Sequence, residues 1–178
     1  FRFFPHKTDS EGLFVAVARK AEPTPQRTPK ARKRVMQEVD KASRKELLRW
    51  LMDAESHSFA LVADTIYAYS SEQFKAVQAL SEGLTAIYSG VAMGQIFKGK
   101  LKPDGALAFY VGLNRDAVAA SELSLEEALQ FLRKQDMSAA PFAEGVNIVL
   151  YEGLPLGFVK RVGARVNNMY PSSLRILK

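Results

Sequence analysis

The apolar residues of this chain occur in short runs, and this feature most constrains what it can fold into. No run approaches the roughly 20 residues that a membrane span needs. Three runs follow the Ser-x-x-Glu/Gln pattern of a helix start, at Ser43, Ser70 and Ser124. Others, such as residues 59–69 and 146–151, have the character of short strands. Short helices mixed with short strands predict an α+β fold.

Further strands are predicted from the turn residues between the apolar runs. Residues 11–20 read as one strand, and residues 106–111 as another after the turn signal Pro103-Asp104-Gly105. Residues 152–155 join 146–151 to 156–162 as a hairpin. Residues 21–34 contain three prolines among basic residues, which predicts an exposed, mobile linker.

One segment has the spacing of a phosphate-binding loop without its other requirements. Gly94 to Lys100 fits G-x-x-x-x-G-K, but Leu101 stands where the magnesium-binding Ser or Thr is needed. Lys102, Pro103 and the residues after them suit a turn rather than the helix that such a loop opens. The segment therefore predicts a turn and not a nucleotide site.

The net charge of +6 is concentrated in two segments. Residues 19–34 carry a net +6, the tail after Glu152 carries +5, and the rest of the chain carries −5. Two basic segments on an acidic body indicate a polyanionic partner, with nucleic acid ahead of a membrane surface. Pro29, within the basic residues 27–34, and Pro23 and Pro25 just before them disfavour a membrane-binding amphipathic helix. The alternative is that these charges only solvate a linker and a terminus.

Nothing in the sequence argues for catalysis within this chain. The absence of cysteine excludes a disulfide framework, a cysteine metal site and a cysteine nucleophile. His6 and His57 are the two histidines and do not have a metal-ligand spacing. We therefore expect no catalytic, cofactor-binding or metal-binding residue here. The start at Phe1, without an initiator Met or a signal peptide, is what a piece of a longer protein would show.

The tail carries the residue types of an RNA contact. Glycines allow close backbone approach, Lys and Arg neutralise phosphate, Asn bonds base edges or sugar, and Tyr stacks. The alternative is a β-hairpin with a solvated basic face. The predicted RNA-binding residues are Lys160, Arg161, Arg165, Asn167, Asn168 and Tyr170.

The tail also resembles the C-terminal signature of the Sun-type (Nol/Nop/Sun family) RNA cytosine-5 methyltransferases, in the branch acting on small-subunit ribosomal RNA. Residues 2–20 resemble the last strands of that family's catalytic domain, although Ser10 stands where Gly is frequent, and residues 90–109 resemble its middle region. The matching positions are Arg2, Pro5, His6, Lys7, Glu11, Gly12, Phe14, Tyr151, Glu152, Gly153, Pro155, Leu156, Gly157, Lys160, Arg161, Gly163, Arg165, Asn168, Tyr170 and Pro171.

The resemblance implies a division of the chain. Residues 1–20 would be edge strands of a truncated Rossmann-like methyltransferase domain, and residues 21–42 a basic linker. Residues 43–120 would form an α+β connecting module. Residues 121–178 would form a PUA-like β-barrel module that binds RNA.

The resemblance also implies the function. The chain would orient small-subunit ribosomal RNA for a catalytic domain that lies before Phe1 and uses a cysteine nucleophile and S-adenosylmethionine. By itself it would neither methylate RNA nor bind that cofactor. We expect a cytoplasmic monomer that binds ribosomal RNA and no membrane. The rival interpretation is a non-enzymatic RNA-binding or ribosome-assembly protein with the same tail module.

Overall fold

The computed structural model describes residues 2–4, 7, 13–14, 16–19, 21, 36–84 and 86–177. The chain divides into two compact units, Phe1–Lys30 and Ala31–Lys178. In the first unit, strand β1 (Arg2–Phe3) pairs antiparallel with β2 (Leu13–Phe14). Residues 16–19 of the predicted strand 11–20 are not in a strand, and the predicted linker 21–34 lies outside the described residues except for Ala21.

A five-stranded antiparallel sheet forms the first half of the second unit. Its strands follow one another in order: β3 (Gln37–Glu38), β4 (His57–Val62), β5 (Thr65–Ser70), β6 (Val91–Phe97) and β7 (Lys100–Pro103). The sequence run 59–69 is thus two strands, β4 and β5, joined at Ala63-Asp64. The segment that resembles a phosphate loop is the β6–β7 hairpin, whose turn residues Lys98 and Gly99 both have positive φ. The prediction of a turn there is confirmed.

Two of the three helix-start signals mark helix starts. Helix α2 (Ser71–Gly83) is capped by Ser70, whose hydroxyl accepts from the Gln73 amide. The signal at Ser43 is wrong, since α1 (Lys41–Leu48) begins earlier and Asp40 caps it. Asp40 is the better-placed acceptor because its carboxylate reaches the amides of Ala42 and Ser43. Strand β3 and the start of α1 lie within residues 21–42, where a linker is predicted.

The predicted strand at residues 106–111 is wrong. A short helix, α3 (Gly105–Ala108), stands there, and the Asp104 carboxylate caps it by accepting from the Ala106 amide at 2.9 Å. Leu107 and Ala108 are buried. The Pro-Asp-Gly signal is therefore a helix N-cap rather than a turn between strands.

A four-stranded sheet forms the second half. Strand β8 (Ala119–Glu122) runs parallel to β9 (Gly145–Tyr151), and between them the chain forms α4 (Leu125–Leu132), which begins with the capping box predicted at Ser124. Strand β10 (Leu154–Val162) pairs antiparallel with both β9 and β11 (Arg165–Asn168). The predicted hairpin between β9 and β10 is confirmed, and its turn is Glu152-Gly153, both with positive φ.

The centre of the four-stranded sheet, in β9 and the middle of β10, carries buried residues on both faces. One face places Ile148 and Phe158 in a core shared with Leu47, Trp50 and Met93 of the five-stranded half. Val149 and Val159, on the opposite face, pack with Phe131 of α4 and with Phe142. The described helices and sheets make the fold α+β, as predicted. The two sheets are held together by one continuous core.

Candidate nucleic-acid interface

The register of the β10–β11 hairpin separates the predicted RNA-binding residues onto two faces. Residues opposite each other in a sheet share a face, and neighbours along a strand alternate. Lys160 lies opposite Asn167, and Val162 lies opposite Arg165, which places Lys160, Asn167 and Arg165 on one face. Arg161 and Asn168 lie on the other face, since they pair with Val166 and Val159. The structure therefore does not bring the six residues together as one site.

Arg161 is engaged within the protein. Its Nε donates to the Gly163 carbonyl at 2.8 Å, and its Nη1 donates to the Phe142 carbonyl at 2.5 Å. The Glu144 carboxylate lies 3.9 Å from Nε and also accepts from the Gly163 amide. These contacts tie the 163–164 turn to the segment before β9, and they engage two of the five N–H donors of the guanidinium within the protein.

Asn168 and Tyr170 are also part of the module's packing. Asn168 Nδ2 donates to the Phe131 carbonyl at 2.7 Å, and its Oδ1 accepts from the Tyr170 amide at 2.9 Å. The Tyr170 ring packs edge-on against Phe131 with centroids 5.3 Å apart. Lys134 Nζ donates to the backbone carbonyls of Asn168 and Tyr170. Asn168 thus joins the end of β11 to α4, and Tyr170 lies half-buried against it.

Lys160, Arg165 and Asn167 remain available to a ligand. Lys160 and Arg165 are exposed, and Asn167 is half-buried. Among the hydrogen bonds and ion pairs of the described residues, none involves the side chains of these three. Lys160 follows the buried residues Phe158 and Val159 on β10, and Arg165 and Asn167 lie on β11, which pairs with β10, so the core sets the backbone positions of all three.

The sequence reasoning missed two lysines that line the same groove as Lys160. Lys100 and Lys102 of β7 stand with Lys160, Asn167 and exposed Phe97 around a groove of about 310 Å³. The signal was present in the alternation Lys-Leu-Lys-Pro, whose burial is exposed, buried, exposed, buried. The same segment also carries the G-x-x-x-x-G-K spacing, which indicates a phosphate loop or a turn and does not indicate an exposed lysine face.

His57 is buried and takes part in contacts between two elements. Its Nε2 lies 2.7 Å from the Tyr110 hydroxyl, and its Nδ1 lies 2.6 Å from the Asp53 carbonyl. The imidazole therefore links the start of β4 to the loop after α3. Over the described residues, no group of three or more His, Asp or Glu could hold a metal ion. No helix in that part of the chain is both long and apolar enough to cross a membrane.

Comparison with known proteins relates this chain to bacterial ribosomal RNA methyltransferases. The family model described as the methyltransferase RsmF PUA domain matches residues 118–176. Ribosomal RNA small subunit methyltransferase F of Cronobacter sakazakii is 31% identical over 188 residues, which cover 96% of this chain and 36% of that protein. The proteins of the same name from Escherichia coli O139:H28 and Shigella boydii serotype 18 are 41% identical over 61 residues, or 33% of this chain and 12% of theirs. The chain thus spans little more than a third of the length of such relatives.

Proposed function

Because this chain belongs to the family of the ribosomal RNA small subunit methyltransferase F proteins, with a PUA domain at residues 118–176, we propose that it is the RNA-binding C-terminal part of such an enzyme. In this proposal it holds small-subunit ribosomal RNA so that a cytosine reaches a catalytic domain elsewhere in the protein. That domain uses S-adenosylmethionine to methylate carbon 5 of the base.

The observation that carries the proposal is the free polar face of the β10–β11 hairpin within the matched domain. Lys160 and Arg165 point outward beside Asn167, and the strands that hold them are packed on a core. Cations on a rigid hairpin lose little backbone entropy when they engage phosphate. Phosphate contacts of this kind set the position and orientation of a nucleic acid on a protein. Positioning is the task that the proposal assigns to this chain.

The described residues do not fit S-adenosylmethionine. A Rossmann-like cofactor site needs a parallel sheet and a glycine-rich loop that opens a helix. In the second unit the described five-stranded sheet is antiparallel, and β8–β9 is the parallel pair of the other sheet. The proposal therefore assigns the cofactor to the catalytic domain, and assigns β1 and β2 to that domain's edge.

RNA binding by charge variants of the hairpin tests the proposal. Each phosphate contact to single-stranded RNA contributes about 0.7 to the slope of log affinity against log salt. Replacing Lys160 and Arg165 together by Ala should weaken binding to a small-subunit ribosomal RNA fragment and reduce that slope by about 1.4. The measurement is fluorescence anisotropy at several salt concentrations.

The matched control is Lys41→Ala/Lys75→Ala, which removes the same charge from exposed positions of α1 and α2. Equal losses in both variants would mean diffuse charge attraction and would contradict the proposal. Methyl transfer to small-subunit RNA by the complete gene product decides between the enzyme and the rival. Tight RNA binding without methyl transfer would favour a non-enzymatic assembly protein.

A further inference from the structure

The groove between the two sheets combines charge, an aromatic ring and an amide in one place. Lys100 and Lys102 come from β7, Lys160 and Asn167 come from the β10–β11 hairpin, and Phe97 stands at the end of β6. Leu101, Val146 and Met169 lie between them and belong to the core that joins the two sheets. The backbone positions from which the lysines extend are therefore set by packing.

The electrostatics of the groove favour an anion. No Asp or Glu occurs among the residues that line it, and its charged side chains are the three lysines. All three are exposed, and over the described residues no hydrogen bond or ion pair occupies their ammonium groups. Like charges held close together without acidic partners repel one another, so a bound polyanion would relieve the repulsion.

The spacing of the lysines suits a strand of phosphates rather than one small anion. Lys100 and Lys102 are two residues apart on one face of β7, a separation of about 6.6 Å. This is close to the separation of successive phosphates along a nucleic-acid strand. Lys160 adds a third charge from the other side of the groove.

The exposed ring of Phe97 bears on which form of nucleic acid the groove suits. The residue is 66% exposed and pairs directly with Lys100 in the β6–β7 ladder. Lys98, outside the lining of the groove, places its Nζ 5.5 Å from the ring centroid. An exposed ring beside a row of lysines offers a stacking surface that an unpaired base can use and a paired base cannot.

From these observations we infer that the groove lined by Phe97, Lys100, Lys102, Lys160 and Asn167 binds a single-stranded RNA segment. Two or more phosphates lie along the lysines, one base stacks on Phe97, and the Asn167 amide reaches a base edge or a sugar. The inference rests on the proposed function, because it names the form of RNA that the chain holds and extends the contact from the hairpin onto the five-stranded sheet.

Two variants give different signatures in RNA binding. Lys100→Ala/Lys102→Ala should flatten the salt slope by about 1.4, from about 0.7 per phosphate contact on a single strand. Phe97→Ala should weaken binding by at least about fivefold, the lower end for base stacking, and should leave the slope unchanged. Phe97→Trp should retain binding. The probe is a short fluorescein-labelled single-stranded RNA, titrated with the whole chain at several salt concentrations.

The controls separate this inference from the proposed function. Lys41→Ala/Lys75→Ala is again the control, because it removes the same number of charges as Lys100→Ala/Lys102→Ala. Thermal unfolding of each variant checks that it is folded. If the wild-type chain binds ribosomal RNA but the groove variants behave like this control, the groove assignment is overturned and the proposed function stands. If the wild-type chain binds no RNA, both fall. The inference would also be overturned if duplex RNA bound as tightly as the single strand. The same holds if polyglutamate displaced the labelled RNA as well as unlabelled single-stranded RNA does.

Discussion

Neighbouring cations on β10 have opposite environments. Lys160 points into an open groove without a partner, whereas Arg161 points to the other face and donates to the Phe142 and Gly163 carbonyls. Arginine suits position 161 because its planar guanidinium can donate to several fixed acceptors at once. Removing the Arg161 side chain therefore tests the stability of the fold, whereas removing the Lys160 side chain tests RNA binding.

Arg161→Ala should lower the free energy of unfolding by about 1–3 kcal/mol, because two carbonyls and the Glu144 carboxylate lose their partner. Lys160→Ala should change it by less than about 0.5 kcal/mol, as at other exposed positions. Urea unfolding measures both. If the Arg161→Ala protein is as stable as wild type but binds RNA much more weakly, Arg161 contacts RNA, as the sequence predicts.

At the scale of elements, the ends of helices depend on which acceptor reaches the free amides. Ser124 caps α4 with the predicted reciprocal contact, because Glu127 both donates its amide to the serine hydroxyl and accepts from the serine amide. At α1 the Asp40 carboxylate takes the cap, which leaves Ser43 inside the helix. Hydrogen bonds from the Ser43 hydroxyl and amide, and from the Ala42 amide, lower the pKa of Asp40 from its ordinary 3.8.

The Asp40 cap should make part of the stability depend on pH. Since the folded pKa is below 3.8, the ionised cap stabilises the fold above that value, and the contribution is lost as pH falls through the folded pKa. Asp40→Ala should therefore be less stable than wild type at neutral pH, and the difference should shrink in strong acid. Urea unfolding of both proteins across this range measures it. A difference independent of pH would show that the carboxylate charge has no part in the cap.

For the molecule as a whole, the shared core couples the two sheets. Trp50 follows α1 on the five-stranded side, and its ring packs edge-on against Phe158 of β10 with centroids 6.2 Å apart. Both belong to the cluster that also holds Met93 and Ile148. We therefore expect residues 36–177 to unfold as one cooperative unit.

Because Trp50 is the single tryptophan of the chain, its fluorescence reports this junction. Unfolding followed by this fluorescence should coincide with unfolding followed by far-ultraviolet circular dichroism. Phe158→Ala should cost about 3–5 kcal/mol by both probes, the usual range for a buried phenylalanine. Phe97→Ala is the matched control at an exposed position and should have little effect on the free energy of unfolding. Two separate transitions would mean that the sheets fold independently.

Local signals in the sequence determined much of this protein. The capping residues Ser70 and Ser124, the turn at Glu152-Gly153 and the strands β9 and β10 could be predicted, since each depends on residues within one turn or one hairpin. The family resemblance of the tail was confirmed for the same reason, because its motif is contiguous. Local signals failed where two acceptors competed, at Asp40 and Ser43, and where Asp104 opened a helix instead of a turn.

Only the tertiary structure decided which residues share a surface. Lys160 and Arg161 lie on opposite faces of β10 because side chains alternate along a strand, and the pairing of β10 with β11 decided that Lys160 shares its face with Asn167. Lys100 and Lys160 are distant in sequence, and they meet at one groove because the core beneath Leu101 and Val146 joins their sheets. The sequence determined which residue types could bind RNA. Strand register and core packing determined which of them are free to do so.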